Sequence, residues 1–171
     1  MISLIAAIGK NNELGKNNTL LWSMPADMKH FQETTRGHTV IMGRKTFESL
    51  GHSSTGELGR SLPNRRNIVI TRDENYSRRD IEVVHSLEEA LNLAKSEKNE
   101  EIFIIGGAEI YRQTILLADK LYLTHIGAED NTADSFFPKI DKSKWREVSR
   151  KEHKKDKDNP CDYTFSIYER I

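Results

Sequence analysis

Ile102-Phe103-Ile104-Ile105-Gly106-Gly107-Ala108 reads as a buried strand, a two-glycine turn and the start of a helix that continues to residue 117. Four apolar residues in a row leave no polar face, so such a strand is covered on both sides. The pattern recurs outward from here. Apolar, β-rich runs occupy residues 2–8, 39–42, 67–71, 81–85 and 121–126. Helical stretches fall between them. Ser86-Leu87-Glu88-Glu89 is a capping box before Ala90, Leu91 and Ala94, with Ser86 as N-cap. Pro25 suits the first turn of an earlier helix, and Gly37 suits the position just past its end. Residues 145–152 and 164–168 break the alternation. They read as two strands joined by the charged loop Lys154-Lys155-Asp156-Lys157-Asp158-Asn159-Pro160. The expected fold is α/β, a single domain over residues 1–171. It has a mainly parallel central β-sheet, an antiparallel C-terminal edge hairpin and flanking helices.

Composition narrows the function classes. The chain has 171 residues, enough to bury about 70% of its unfolded surface without a disulfide or metal framework. Lysine plus arginine and aspartate plus glutamate are 26 each, so no global field draws nucleic acid or an anionic membrane. Cys161 is the one cysteine, which excludes an intramolecular disulfide. Met1 to Ile8 is apolar but lacks the basic flank of a secretion signal, and no run reaches the ~20 residues of a membrane span. A cytoplasmic monomer that binds neither membrane nor nucleic acid is expected. The six histidines and Cys161 show no metal-ligand spacing, so no metal is expected.

Three segments could carry chemistry. On the helix begun by Pro25, Met24, Met28 and Phe31 form an apolar stripe opposite Lys29, Glu33 and Arg36. Asp27 falls at the edge of that stripe. Spacing leaves two roles open for it: an acid favoured by the helix dipole, or a carboxylate aimed into an apolar pocket. Gly43-Arg44-Lys45-Thr46 follows a strand and opens a short helix ended by Gly51. It is either an anion site or a plain turn with solvated basic residues. The Gly106-Gly107 turn has the same two readings, a close approach to a ligand or a simple connection. Thr71-Arg72 ends the next strand and could add a hydroxyl and a guanidinium.

Taken in order, these segments resemble the dihydrofolate reductase family. The resemblance rests on Ile2-Ser3-Leu4-Ile5-Ala6-Ala7, Leu14-Gly15, Trp22-Ser23-Met24-Pro25-Ala26-Asp27 and Val40-Ile41-Met42-Gly43-Arg44-Lys45-Thr46-Phe47-Glu48-Ser49. Leu62-Pro63-Asn64-Arg65-Arg66-Asn67, Ile105-Gly106-Gly107, Leu121-Tyr122-Leu123-Thr124-His125-Ile126 and Asp134-Ser135-Phe136-Phe137-Pro138 complete it. Each block is weak alone, but the ordered set spans the chain.

The resemblance implies reduction of 7,8-dihydrofolate to tetrahydrofolate by NADPH, within one-carbon metabolism. It implies catalytic roles for Asp27, Trp22 and Thr124. Asp27 would bond the pterin ring, Thr124 would support that carboxylate, and Trp22 would hold an ordered water. Substrate would meet Ile5, Ala6, Asp27, Met28, Phe31, Leu50, Leu62, Ile105, Tyr111 and Thr124, with Arg65 gripping the glutamate α-carboxylate. The cofactor would meet Ala7, Leu14, Gly15, Asn18, Leu20, Gly43, Ile105, Gly106, Gly107, Ala108, Glu109, Ile110, Tyr111 and Gln113. Arg44, Lys45, Thr46, Thr71 and Arg72 would surround its 2′-phosphate and pyrophosphate. Gly106-Gly107 would be joined by a cis peptide, and residues 14–24 would form a closing loop.

Three departures stand out. Leu21 occupies a position where the family usually has proline, which loosens the expected loop. His52-Ser53-Ser54-Thr55-Gly56-Glu57-Leu58-Gly59 is an extra segment, expected as a solvent-exposed excursion near the folate tail. Ala108 and Glu109 follow Gly107 where relatives carry glycine and, in some members, arginine. Two rival functions remain. A reductase of a ribosylated pyrimidine in riboflavin synthesis has no need of Asp27 with Arg65. A catalytically silent folate- or nucleotide-binding module has no need of the intact Asp27, Trp22, Thr124 and Gly106-Gly107 set.

Overall fold

An apolar strand can sit inside a sheet only if neighbours take both rows of its backbone hydrogen bonds. β1 (Ile2–Ile8) meets this demand at the centre of the main sheet. The computed structural model describes residues 1–96, 98 and 101–171. Along the chain follow β2 (Glu13–Lys16), β3 (Thr19–Leu20), α1 (Pro25–Thr35), β4 (Thr39–Gly43), α2 (Arg44–Glu48), β5 (Arg66–Ile70) and β6 (Glu82–Val84). Then come α3 (Leu87–Lys95), β7 (Ile102–Ile104), α4 (Ala108–Thr114), β8 (Lys120–Ile126), β9 (Ser135–Phe136), β10 (Trp145–His153) and β11 (Tyr163–Arg170). The main sheet has the order β10-β11-β8-β1-β7-β4-β5-β6. From β8 to β6 every pairing is parallel, while β11 runs antiparallel to both β8 and β10.

Side-chain alternation along β1 divides the core. Ile2, Leu4, Ala6 and Ile8 point to one face, where Ala90, Leu91 and Ala94 of α3 and Ile110 and Tyr111 of α4 cover them. Ile5 points to the other face, beside Val40, Met42, Phe103 and Phe47 of α2. β10 forms the outer edge, and its exposed sequence Arg146-Glu147-Val148-Ser149-Arg150-Lys151-Glu152 guards that edge with charge.

Ser86 caps α3 as expected, accepting the Glu89 N–H at 3.1 Å. The Glu89 carboxylate reaches back to the His85 N–H at 2.8 Å, one residue before the cap. The charged loop after His153 does close the β10–β11 hairpin. Other expectations need correction. α4 ends at Thr114, not 117, because the chain tightens there: the Leu117 and Ala118 N–H groups both bond the Thr114 carbonyl. Residues 14–24 include part of a second, three-stranded sheet, order β3-β2-β9, which short polar strands do not announce in sequence. Among the described residues, no helix is long and apolar enough to cross a membrane.

The extra segment is more than a free excursion. It folds on itself, with Gly59 N–H to Gly51 O at 2.7 Å and Ser53 N–H to Glu57 O at 2.9 Å. Arg78 ties it to the loop after β5, donating to Leu58 O at 2.7 Å and Gly59 O at 3.2 Å while stacking over Phe47. Gly59 has φ +91°, and a Cβ there would lie 2.7 Å from Phe47 Cδ1 and closer still to Cε1. Gly59→Ala therefore combines backbone strain with overpacking against a fully buried ring. It is expected to cost about 2–4 kcal/mol, read as a lower urea midpoint with an unchanged slope.

Candidate active site

α1 carries the acid, and its start is secured from far away in sequence. Its N-cap, Met24, makes no side-chain cap bond. Instead Asn159, in the loop between β10 and β11, accepts the Ala26 N–H through Oδ1 at 3.0 Å. Asn159 is itself buried and donates N–H and Nδ2–H to Asp156 Oδ1 at 2.8 and 3.0 Å. One turn in, Asp27 faces the sheet. Burial pushes its carboxyl above the ordinary 3.8, against the Thr124 side-chain hydrogen bond and the nearby His30, which both favour the anion. Thr124 is buried on β8 directly across from Ala7 of β1. His30 stacks on Phe165 with ring centroids 4.1 Å apart.

A small cleft opens at this point, lined by Ala7, Leu14, Leu20, Leu21, Trp22, Met24, Asp27 and Ile126. The expected catalytic trio thus converges: Asp27 and Trp22 line the cleft and Thr124 supports Asp27. The segment carrying Trp22 is held by β2 and β9. Asp134 accepts the Asn17 N–H at 2.9 Å and donates its own N–H to Gly15 O at 3.1 Å.

An apolar wall extends from Asp27 toward Arg65. Ile5 and Ile105 belong to one buried cluster, with Phe31, Leu50 and Leu62 packed against it. Met28, on the apolar stripe, is 45% exposed. A helix face that borders a cleft instead of the core leaves its apolar residues in the open. At the far end, Arg65 donates to Gln32 O and Pro63 O, each at 3.2 Å, and lies over Phe31. Its Nε is buried without a hydrogen-bond partner.

Two expected substrate residues turn elsewhere. The Ala6 side chain packs on the opposite face of the sheet, as strand alternation requires next to Ile5. Tyr111 is buried in that same cluster, and its hydroxyl donates to Ile5 O at 2.6 Å. It supports the cleft floor from beneath.

The second half of the site lies where β4 and β7 end. Gly43 N–H donates to Gly106 O at 2.8 Å, joining the start of α2 to the turn before α4. The Gly106-Gly107 peptide is cis, as expected. Gly106 has φ +116°, and a Cβ there would press on the Tyr111 ring at 3.2 Å. Lys45 and Arg72 are exposed, and Thr71 is buried at the end of β5. Arg44 is not free as expected. Its Nε donates to Glu48 at 2.9 Å, its Nη1 to Asp73 at 3.0 Å, and its guanidinium stacks on Tyr76 at 4.1 Å. Asn18 lies in the exposed β2–β3 turn, and Leu20 is exposed on β3. Ala108 and Ile110 begin α4, whose Glu109 and Gln113 bond each other at 2.8 Å on its solvent side.

Sequence reasoning missed Asn159 and Glu13. Glu13 is almost fully buried, accepting the Asn11 N–H at 2.6 Å and the Asp130 N–H at 3.3 Å. It fastens the cleft loop to the segment after β8. A charged residue beside an apolar one in a short strand gives no local hint of this. Among the described residues, no group of three His, Cys, Asp or Glu side chains could hold a metal.

Replacing Asn159 by alanine removes the acceptor at the start of α1 while keeping the hairpin strands. The expected loss is about 1 kcal/mol, or a fall in thermal midpoint of about 2–4 °C by scanning calorimetry.

Comparison with known proteins agrees with this geometry. The family model described as dihydrofolate reductase matches residues 1–170. The chain is 43% identical over 170 residues to a dihydrofolate reductase of Staphylococcus haemolyticus, covering 99% of this chain and 96% of that protein. It is 43% identical over 170 residues to that of Bacillus subtilis, covering 99% and 95%. A solved structure of dihydrofolate reductase from Enterococcus faecalis complexed with NADP(H) and RAB-propyl superposes with a TM-score of 0.85 at 34% identity. That superposition covers 99% of this chain and 96% of the other. With the fold, the cis turn and the acid-bearing helix in the same order, this chain belongs to the dihydrofolate reductase family.

Proposed function

We propose that the protein reduces 7,8-dihydrofolate to 5,6,7,8-tetrahydrofolate with NADPH. The observation that carries this reading is a slot with opposite charges at its two ends. Asp27 stands at one end, half-buried and hydrogen-bonded to Thr124. Arg65 stands at the other, with a buried Nε still without an acceptor. Between them run the apolar side chains of Ile5, Phe31, Leu50 and Leu62. A flat heterocycle with an amide-and-amine edge, joined through an aryl spacer to a carboxylate, matches this sequence of environments. A ribosylated pyrimidine would leave Arg65 unused.

The residues at the ends of β4 and β7 fit a dinucleotide. The glycines bring bare backbone to the cleft edge, with Thr46 Oγ1 only 3.1 Å from where a Gly107 Cβ would stand. Lys45 and Arg72 offer exposed positive charge for phosphate. Ala7 would meet the carboxamide of the nicotinamide through its backbone, beside Asp27 in the same cleft. NADPH, when bound, supplies the hydride that ends on C6 of the pterin. The related structure complexed with NADP(H) supports this assignment.

Asp27 then has one chemical task, to raise the proton affinity of N5. A carboxylate in a partly desolvated slot acts more strongly than one in water, because little solvent screens it. Trp22 and the leucines of the cleft loop limit access of bulk water. Thr124 holds the carboxylate in place.

Reduced nicotinamide absorbance is expected to fall only when dihydrofolate is added, and a flat trace would rule the activity out. The pH dependence has a defined sign. Asp27 acts as the anion, so its contribution is present above its raised carboxyl pKa and fades as pH falls through it, while loss of the N5 proton makes the hydride step decline as pH climbs. Asp27→Asn is expected to remove this titration, lowering turnover about 100-fold or more at neutral pH. The loss should shrink in acid, where the pterin arrives already protonated. Equal losses at every pH would remove Asp27 from this role.

A further inference from the structure

Arg44 is the one cation of the proposed cofactor end whose donors are already committed. A guanidinium offers two two-pronged faces to an oxyanion, Nε with one terminal nitrogen, or both terminal nitrogens together. Glu48 takes Nε at 2.9 Å, and Asp73 takes Nη1 at 3.0 Å. One nitrogen of each face is therefore bonded to a carboxylate. Glu48 lies one turn along the same helix and moves with Arg44. Asp73 comes from the separate loop after β5.

That loop is firmly placed. Asp73 N–H donates to Thr71 Oγ1 at 3.2 Å, and Asp73 Oδ1 accepts the Asn75 N–H at 3.0 Å. Tyr76 stacks on the Arg44 guanidinium at 4.1 Å. Arg78, with its side chain only 6% exposed, pins the same loop to the extra hairpin through Leu58 O and Gly59 O. Loop and hairpin together flank an open cleft of about 330 Å³ whose walls include Glu48, Glu57, Asp73, Tyr76 and Arg78.

We propose that Asp73 is a specificity-determining residue for the cofactor. Its carboxylate competes with the adenosine 2′-phosphate for Arg44 and sets how strongly NADPH is preferred over NADH. This rests on the reading of Arg44, Lys45 and Arg72 as the phosphate end of an NADPH site. The phosphate gains a two-pronged contact with Arg44 only by displacing a carboxylate, and Asp73 is the one not tied to the same helix. While Asp73 stays, it faces the incoming phosphate with like charge. NADH lacks the 2′-phosphate and makes no such demand.

Asp73→Asn tests this with little disturbance, since Oδ1 can still accept from Asn75. Titration calorimetry with NADP⁺ and NAD⁺ gives a readout independent of turnover. The variant is expected to bind NADP⁺ about fivefold more tightly, as when one partly exposed charge is removed from an ion-pair site. NAD⁺ affinity should change less than twofold, and the KM for NADPH should fall with kcat unchanged. NADP⁺ binding by the variant should also weaken more steeply with salt. In an Arg44→Gln background the same substitution should have a clearly smaller effect, because only the like-charge repulsion is left to relieve. Weaker NADP⁺ binding, or equal shifts for both cofactors, would overturn the proposal. If the unaltered protein binds NADP⁺ and NAD⁺ equally, the underlying cofactor reading fails instead, whatever the variant does.

Discussion

The site depends on β1 lying between two strands that run in its own direction. Parallel pairing with β7 and β8 sends the carboxyl ends of all three to one edge of the sheet. The amino ends are closed off. Ile2 donates to Asp119 Oδ2 and accepts the Asp119 N–H, each at 2.7 Å, and Ile102 donates to Met1 O at 2.9 Å. At the open edge, register places Ala7 beside Thr124, and the chain leaves β7 through Ile105, Gly106 and Gly107. Ligands of open α/β sheets bind at this edge because loops there, not strands, carry the polar groups. Shifting the β1–β8 register by one residue would turn Thr124 away from Asp27.

The strands were legible because burial on both faces leaves a continuous apolar run. The runs at 39–42, 67–71 and 102–105 each come within a residue of β4, β5 and β7 at both ends. The small sheet was not legible. Glu13 and Gly15 pair with Phe136 and Ser135, more than a hundred residues away, and a two-residue strand has no period of its own. Ile115, Leu116 and Leu117 prolong the apolar pattern of α4 beyond its true end, although Leu116 is 71% exposed. Hydrophobic pattern reports burial only when the chain does go inward.

The candidate site divides the same way. Asp27, Thr124, Ile5, Leu62 and the cis Gly106-Gly107 turn were marked by ordered motifs over the whole chain. Ala6 and Tyr111 were named by the same motifs, but their side chains turn to the other face, because a motif fixes neighbours and not side-chain direction. Asn159 at the start of α1 and Asp73 on Arg44 belong to partnerships 133 and 29 residues apart. Nothing local to either member encodes such a bond.

Balanced totals of 26 acids and 26 bases therefore conceal two different arrangements of charge. At the proposed folate end the signs stand apart: Asp27 bonds Thr124, while Arg65 lies over Phe31 and donates to backbone carbonyls. At the cofactor end the signs are in contact, and Arg44 is already bonded to two carboxylates. The extra hairpin explains why that contact persists. Gly59 and Arg78 both pack on Phe47, the fully buried ring of the helix that bears Arg44. Hairpin, loop and helix consequently pack as one body around that ring. A carboxylate mounted on that body meets Arg44 without the ordering cost that makes most surface ion pairs weak. On the proposed reading, an insertion that packs on the Arg44 helix thereby gains leverage on which cofactor enters the cleft.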